Sequence, residues 1–472
     1  MAAQSANPDP RNAVTERTSA ASSSRRAGIL KWFAPAPAIP VTLTEPEAIE
    51  QAYRRWRWRV LLATIVGYAL FYFVRKNLSV AMPVMSKDLG ISKSDLGLFL
   101  TLHGLLYGVA RFANGFLADR SNARTFMVVG LVGSALMNIF FGLSSAVMML
   151  GLIWMLNGWV QGMGFPPISR LMTHWFPPHQ LATKQSIWNT SHSIGAGLVV
   201  ILCGYLVAPR GEVIAANWRL CFFVPAGLAL LGAVYLWLTL PDTPPSVGLP
   251  EVKGTEQAAA QTEDSGDFKA FLMENVFRNK YIWLVALANF FVYVVRYAVL
   301  DWGPTLLSEA KGVKLAHAAW MVTAFEISGI VGMLLCGWLT DRVFGGRGAR
   351  ACLFYMALAG ISLLIFWKLP VHSKAFSVVS LCCAGFFIYG PQALIGIIVA
   401  NLATKRAAAT AAGFTGIFGY ASTLLSGWGL GKLVELHGWD AGFAGLLGAA
   451  AIGTLLFAAA WGAKAHGYKD SL

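Results

Sequence analysis

The chain has 472 residues, 56% hydrophobic and 13% charged, with a mean hydropathy of +0.57. A soluble domain carries about 25% charged residues, so the composition excludes an ordinary water-soluble globule and points to a membrane protein. The net charge of +14 sits in basic clusters beside apolar segments, which reads as orientation in a bilayer and excludes nucleic acid as a partner.

Residues 1–57 are read as a cytoplasmic N-terminal tail. They are polar and carry Ser, Ala, Pro and Arg ("TERTSAASSSRRAGILKWFAPAPAIP"). No apolar region precedes a small-residue cleavage site, and the composition is that of a mostly disordered segment. A transit peptide is the alternative, opposed by Asp9, Glu16, Glu45 and Glu47.

Apolar stretches of about 20 residues read as spanning helices. Six are expected in a first half, 58–240, at 59–84, 96–118, 124–143, 146–170, 184–208 and 218–240. A Pro-, Gly- and acid-rich segment, 241–279, reads as a cytoplasmic linker. Six more spans follow in a second half, 280–463, at 280–305, 316–340, 350–369, 375–402, 407–433 and 440–463, and 464–472 is a short C-terminal tail. Cys203, Cys221, Cys336, Cys352, Cys382 and Cys383 all fall in apolar segments without zinc spacing and read as small core residues, so no metal site is expected. The basic stretches "YRRWRWR", "DRSNAR", "DRVFGGRGAR" and "ATKR" fall on one side of a twelve-span chain, which places both termini in the cytoplasm.

An internal repeat relates the halves. "GFLADR" begins at Gly115 and "GWLTDR" at Gly337 (337 − 115 = 222), while Arg75 and Arg296 share an offset of one residue less (296 − 75 = 221), as do Trp218 and Trp439 (439 − 218 = 221). The expected fold is therefore all-α: twelve transmembrane helices in two pseudo-symmetric six-helix halves.

Arg75 and Arg296 stand deep in the first and seventh spans, at equivalent depths. An arginine there costs about 2.5–3.5 kcal/mol to insert. The repeat axis brings the two to the midplane between the halves, where duplicated transporters bind substrate. Guanidinium is a rigid fork that matches two oxygens of a phosphate or carboxylate. The competing reading is structural pairing with Glu326, Asp301, Asp119 or Asp341. Tyr72 and Tyr68 lie three and seven residues before Arg75, and Tyr293 three before Arg296, on the same faces. On the fifth span, "SIWNTSHSIGAG" sets His192 in a polar stripe with Trp188 and Asn189. Its imidazole can donate to phosphate and titrates in the same range. Arg111 is a further intramembrane cation and a candidate substrate-binding residue, with snorkelling toward the nearby cytoplasmic end as the bland reading. At the helix ends, Asp119, Arg120, Arg124, Asp341 and Arg342 suit an interlock that holds one face closed through helix-terminal carbonyls. A solvated loop is the bland alternative.

"DRSNAR" with "GWLTDR" resembles the loop signature of the major facilitator superfamily. "GYALFYFVRKN", "GWVQGMGFPP", "WNTSHSIG", "FVYVVRYAVLDWGPT", "LLCGWLTDRVF", "IYGPQALIG" and "TAAGFTGIFGY" together resemble the organophosphate:phosphate antiporters of that superfamily, from about Tyr53 to the last span. The resemblance implies the major facilitator fold in the inner (plasma) membrane of a bacterium. It implies exchange of an organophosphate, foremost glycerol-3-phosphate, for inorganic phosphate by a monomer without cofactor or enzymatic activity. It carries the phosphate-binding arginines onto Arg75 and Arg296 and the histidine onto His192, beside Trp188 and Asn189. It also carries pocket tyrosines onto Tyr68, Tyr72, Tyr107, Tyr293, Tyr389 and Tyr420, a glutamine onto Gln161 and a glutamate onto Glu326. The chain departs from the family at Arg111 (a lysine there), Phe165 (a tryptophan) and Ser193 (an asparagine). The Asp and Lys that mark the hexose-phosphate transporter are Ala412 and Thr415 here. A hexose-phosphate transporter, a transporter-like membrane sensor and a proton-coupled symporter are the alternatives. No metal cluster, nucleophile triad or phosphate loop supports an enzyme.

Overall fold

The computed structural model describes residues 32–41, 43, 45–118, 120–207, 217–252, 272–370, 374–403 and 408–463, which contain helices and no strand. Helices are what an apolar chain must form in lipid, where each backbone polar group needs a partner within its own segment. In chain order they are α1 (Pro46–Leu89), α2 (Lys93–Ala118), α3 (Ala123–Leu143), α4 (Val147–Gln161), α5 (Phe165–Trp175), α6 (Pro178–Val207) and α7 (Leu220–Thr239). The second set is α8 (Lys280–Ala310), α9 (Leu315–Arg342), α10 (Gly348–Lys368), α11 (Lys374–Ala403), α12 (Ala408–Ala421) and α13 (Leu430–Ala459).

Among the described residues, ten helical runs are long and apolar enough to cross a membrane. One of these, Thr410–Ala459, is two spans. Gly438 interrupts it with φ 77° and ψ 178°, a conformation that only glycine takes readily. A wider, π-type turn at Leu424–Gly429 joins α12 to α13 upstream of that break. Conversely α4 and α5 are each too short to cross. They form one span broken at Gly162–Gly164, where a single helix over 146–170 is expected from sequence. Counted this way, the described residues hold twelve spans, six before residue 240 and six from residue 280. The segments 1–31, 253–271 and 464–472, and Asp119, lie outside the described residues.

The expected tail is shorter than its composition suggests. α1 begins at Pro46, because the residues of "YRRWRWR" find partners at the membrane face. Arg57 Nε donates to Trp175 O at 2.7 Å. Arg59 Nε and Nη2 donate to Thr239 O and Leu238 O, each at 2.9 Å. Cations thus cap the carbonyl ends of α5 and α7. The segment before α1 also docks: Asn122 N–H donates to Phe33 O at 2.7 Å, and Ala36 N–H to Asp242 Oδ2 at 3.0 Å. Asp242 Oδ1 in turn accepts from Ala123 N–H and Arg170 Nη1, both at 2.9 Å.

α1 bends in mid-span at Val74 (φ −99°, ψ 18°). A bend frees carbonyls that lipid cannot satisfy, and buried amides take them. Asn138 Nδ2 and Asn157 Nδ2 donate to Val74 O at 2.9 and 3.0 Å, and Gln161 Nε2 donates to Phe71 O at 3.0 Å. Removing one such donor leaves a buried group short of its bond, at about 1–3 kcal/mol. Asn138→Leu is expected to lower the thermal midpoint of the purified protein. An unchanged midpoint would show that the bend needs no brace.

The halves meet through α1 against α8, α2 against α12, the 424–429 turn and α13, and α6 against α9. Most of their ties lie toward one end, here called distal, which carries the α1–α2 and α8–α9 connections. There Lys76 pairs with Asp301, Lys93 Nζ lies 3.2 Å from Glu309 Oε2, and Ser94 N–H donates to Glu435 Oε2 at 2.8 Å. Thr101 Oγ1 donates to Thr423 O at 2.6 Å and accepts from Trp428 N–H at 2.9 Å. The approach is close: a Cβ on Gly97 would lie 2.5 Å from Gly427 O, so only glycine fits.

Candidate functional site

The α1 bend fixes the residue that follows it. Arg75 projects between the halves with Cζ 4.0 Å from the Tyr107 ring centroid and 5.5 Å from that of Tyr72. On the facing half, Arg296 is 4% exposed, with Cζ 4.7, 5.6 and 5.9 Å from the centroids of Tyr389, Tyr297 and Tyr293. Each guanidinium therefore lies in a cage of tyrosine faces, which attract a cation without neutralising it. Arg296 Nη2 donates to Tyr389 OH at 3.1 Å, and Tyr389 OH donates to Glu326 Oε1. The carboxylate reaches Arg296 through a phenol, so the cation is oriented but not locked in a direct ion pair.

His192 on α6 joins the two clusters. Its ring centroid is 5.9 Å from Tyr72 and 6.4 Å from Tyr389, within electrostatic reach of both arginines. Ser193 Oγ lies 3.0 Å from His192 Nδ1, so the serine that departs from the family pattern contacts the histidine. Trp188 packs on Tyr68 at 4.8 Å, and Tyr68 on Tyr72 at 5.6 Å. Asn189 is half-buried on the same helix. Four buried polar atoms of this cluster have no hydrogen-bond partner: Trp188 Nε1, His192 Nε2, Arg296 Nε and Glu326 Oε2. Three belong to groups that can donate and one to a carboxylate, a set suited to a ligand with anionic oxygens and a hydroxyl.

Arg111 reaches into the same region instead of snorkelling to the membrane face. Its guanidinium stacks on Phe165 (3.8 Å to the centroid) and donates to Tyr420 OH, while Tyr420 packs on Tyr107 at 5.1 Å. The two departures from the family at 111 and 165 are thus in contact: a flat guanidinium on a flat ring. Gln161 lies elsewhere. It is 2% exposed, and its amide holds Phe71 O and the Ser134 hydroxyl, so it braces the α1 bend from behind. In the helix-end set, Arg124 lies over Trp237 at 4.8 Å within its own half, and Arg120, Asp341 and Arg342 are exposed. In this conformation the α2–α3 loop is tied to Phe33 of the N-terminal segment and to Asp242 of the linker.

Sequence reasoning missed Lys76. It is 6% exposed and pairs with Asp301 across the halves, so Asp301 is not a partner of Arg296. The signal was present in "VRKN": a second intramembrane cation beside the first demands its own anion. His103 was also missed. It is buried, with Nδ1 3.1 Å from Trp154 O.

The Major Facilitator Superfamily pattern matches residues 64–427. The chain is 37% identical over 443 residues to a protein of Bacillus subtilis (strain 168) named glycerol-3-phosphate transporter, covering 92% of this chain and 98% of that one. It is likewise 37% identical over 449 residues to a probable hexose phosphate transport protein of Chlamydia pneumoniae, covering 92% and 97%. Against the membrane sensor protein UhpC of Escherichia coli (strain K12) it is 36% identical over 429 residues, covering 90% and 96%. Among solved structures, a bacterial homologue of the human lysosomal transporter Spinster, in an inward-facing state, superposes with a TM-score of 0.68 at 19% identity, covering 86% of this chain and 95% of that one. That likeness speaks to the fold alone.

Proposed function

The chain belongs to the Major Facilitator Superfamily and, within it, to the organophosphate:phosphate antiporters, and from that premise we propose that it exchanges glycerol-3-phosphate for inorganic phosphate across a bacterial inner membrane. The observation that carries this reading is the pair of tyrosine-caged arginines on facing halves, neither locked by a carboxylate. A phosphate monoester dianion between them matches two fixed positive charges, so no proton needs to travel with it. His192 adds a hydrogen bond through its unpaired Nε2.

Alternating access follows from where the halves are tied. The basic loops assign the distal end to the outside. The Lys76–Asp301 pair and the Thr101 and Glu435 bonds then close the outer face, leaving the cytoplasmic side as the route to the site. Rocking the halves about the arginines breaks these ties and makes others near the cytoplasmic helix ends.

Identity does not separate glycerol-phosphate from hexose-phosphate relatives, since both stand at 37%. The site does favour the smaller substrate. At the two positions that mark the hexose-phosphate transporter, Ala412 has no polar side chain. Thr415 Oγ1 turns back on its own helix, to Ala411 O and Ala412 O at 3.1 and 3.0 Å. Neither offers a partner to sugar hydroxyls. Competition against labelled phosphate uptake in proteoliposomes tests this. Glycerol-3-phosphate is expected to compete more strongly than glucose-6-phosphate, and the reverse order would overturn the substrate assignment. A sensor that transports nothing would show no uptake.

His192→Asn is expected to weaken apparent affinity for phosphate about tenfold, the size of one hydrogen bond to a charged group. Unchanged affinity would remove His192 from the site.

A further inference from the structure

Distal to Arg75 the halves enclose a cavity of about 20 Å³, room for about one water, that contains the Lys76–Asp301 pair. The first half contributes Arg75, Lys76, Leu100, His103, Gly104 and Trp154 to its wall; Tyr297, Asp301, Tyr420 and Thr423 come from the second. Arginine, lysine and the indole N–H are donors only, and leucine and glycine side chains offer nothing. His103 is therefore the single side chain of the first half's wall that can accept a hydrogen bond.

Its geometry suits that task. The ring stacks on Trp154 at 5.3 Å, and Nδ1 lies 3.1 Å from Trp154 O. A carbonyl can only accept, so Nδ1 carries the hydrogen, and in the neutral ring the lone pair is on Nε2. That atom is buried without a partner. When the distal end parts, Asp301 departs with α8, while Lys76 and His103 stay together in the first half. The ammonium, beside the like charge of Arg75, then has no carboxylate on its own wall.

We propose that His103 is a positioning residue of the outer gate, accepting the Lys76 ammonium on Nε2 as Asp301 withdraws. The handover lowers the cost of opening before the parting surfaces are wide enough for full hydration. It rests on the alternating-access reading above. It adds to the gate a hydrogen-bonding partner that the closed state does not use.

The test follows the reactivity of Thr423→Cys, on the cavity wall, toward a membrane-impermeant maleimide added at the distal face, above the background of the native cysteines. His103→Leu is expected to lower the labelling rate about three- to tenfold, a charged hydrogen bond discounted for competing water. His103→Gln, which keeps an acceptor, is expected to recover most of it. In a Lys76→Gln background, His103→Leu is expected to change nothing further. Equal losses with Leu and Gln, or the same loss without the lysine, would reduce His103 to packing and overturn the proposal. Should Lys76→Gln fail to insert, the Leu–Gln comparison decides alone. Labelling needs no transported substrate, so this proposal and the exchange reading fail in separate assays.

Discussion

Arg75→Lys and Arg296→Lys are each expected to slow phosphate exchange at least about ten- to a hundredfold at normal expression, although both keep the charge. Lysine is a point donor and cannot fork onto two oxygens. Losing one bond to a charged group costs about 1.5–3 kcal/mol. The cages add to this, because a guanidinium stacks on phenol faces 4.0 Å from Tyr107 and 4.7 Å from Tyr389 in a way that a compact ammonium does not. Exchange near the wild-type rate in both variants would show that positive charge alone suffices and would dismiss bidentate recognition.

Asp301→Asn is expected to hold the distal end open. The pair it breaks is buried, with side-chain exposures of 7% for Lys76 and 12% for Asp301. Removing one partner of such a pair costs about 3–5 kcal/mol, because the other charge remains in a low-dielectric site. Only the closed state carries that cost, so the equilibrium moves toward the state in which Lys76 meets water. Reactivity of Thr423→Cys at the distal face is expected to rise about a hundredfold or more, and net exchange to fall because the return through the closed state becomes rare. Lys76→Gln in the same chain is expected to restore part of the closure by removing the orphaned charge. Unchanged labelling in Asp301→Asn would mean that the Thr101, Gly97 and Glu435 contacts close the gate without the ion pair.

Much of the fold was legible because its signals are local. Twelve apolar runs, four basic clusters and the offset between Arg75 and Arg296 need no knowledge of distant contacts. The arginines themselves stand out because lipid makes any intramembrane charge expensive. The Lys76–Asp301 pair was not legible in the same way, since its members are 225 residues apart. Asp301 was weighed as a partner for Arg296, but five residues turn a helix about 500°, which leaves the two on well-separated faces. Gln161 was expected at the site and instead faces the carbonyls of a bend at Val74 that no residue of α1 announces. Arg111 was counted with the candidate substrate-binding residues, with snorkelling as the bland alternative, but its stack on Phe165 was not foreseen. The stack requires the 162–164 break that starts α5 at that ring, and a continuous span hides it. The start of α1 at Pro46 depends on arginines reaching the carbonyls of α5 and α7, a tertiary fact absent from the tail's composition.

The most direct measurement of the central claim is uptake of labelled phosphate into proteoliposomes containing the purified protein, loaded with unlabelled phosphate and given no ion gradient. If two fixed guanidiniums bind a dianion that must leave before another enters, uptake depends on internal phosphate and is lost in Arg75→Lys and Arg296→Lys. Equal uptake by vesicles without internal phosphate, or uptake only under an imposed proton gradient, would contradict antiport at this site.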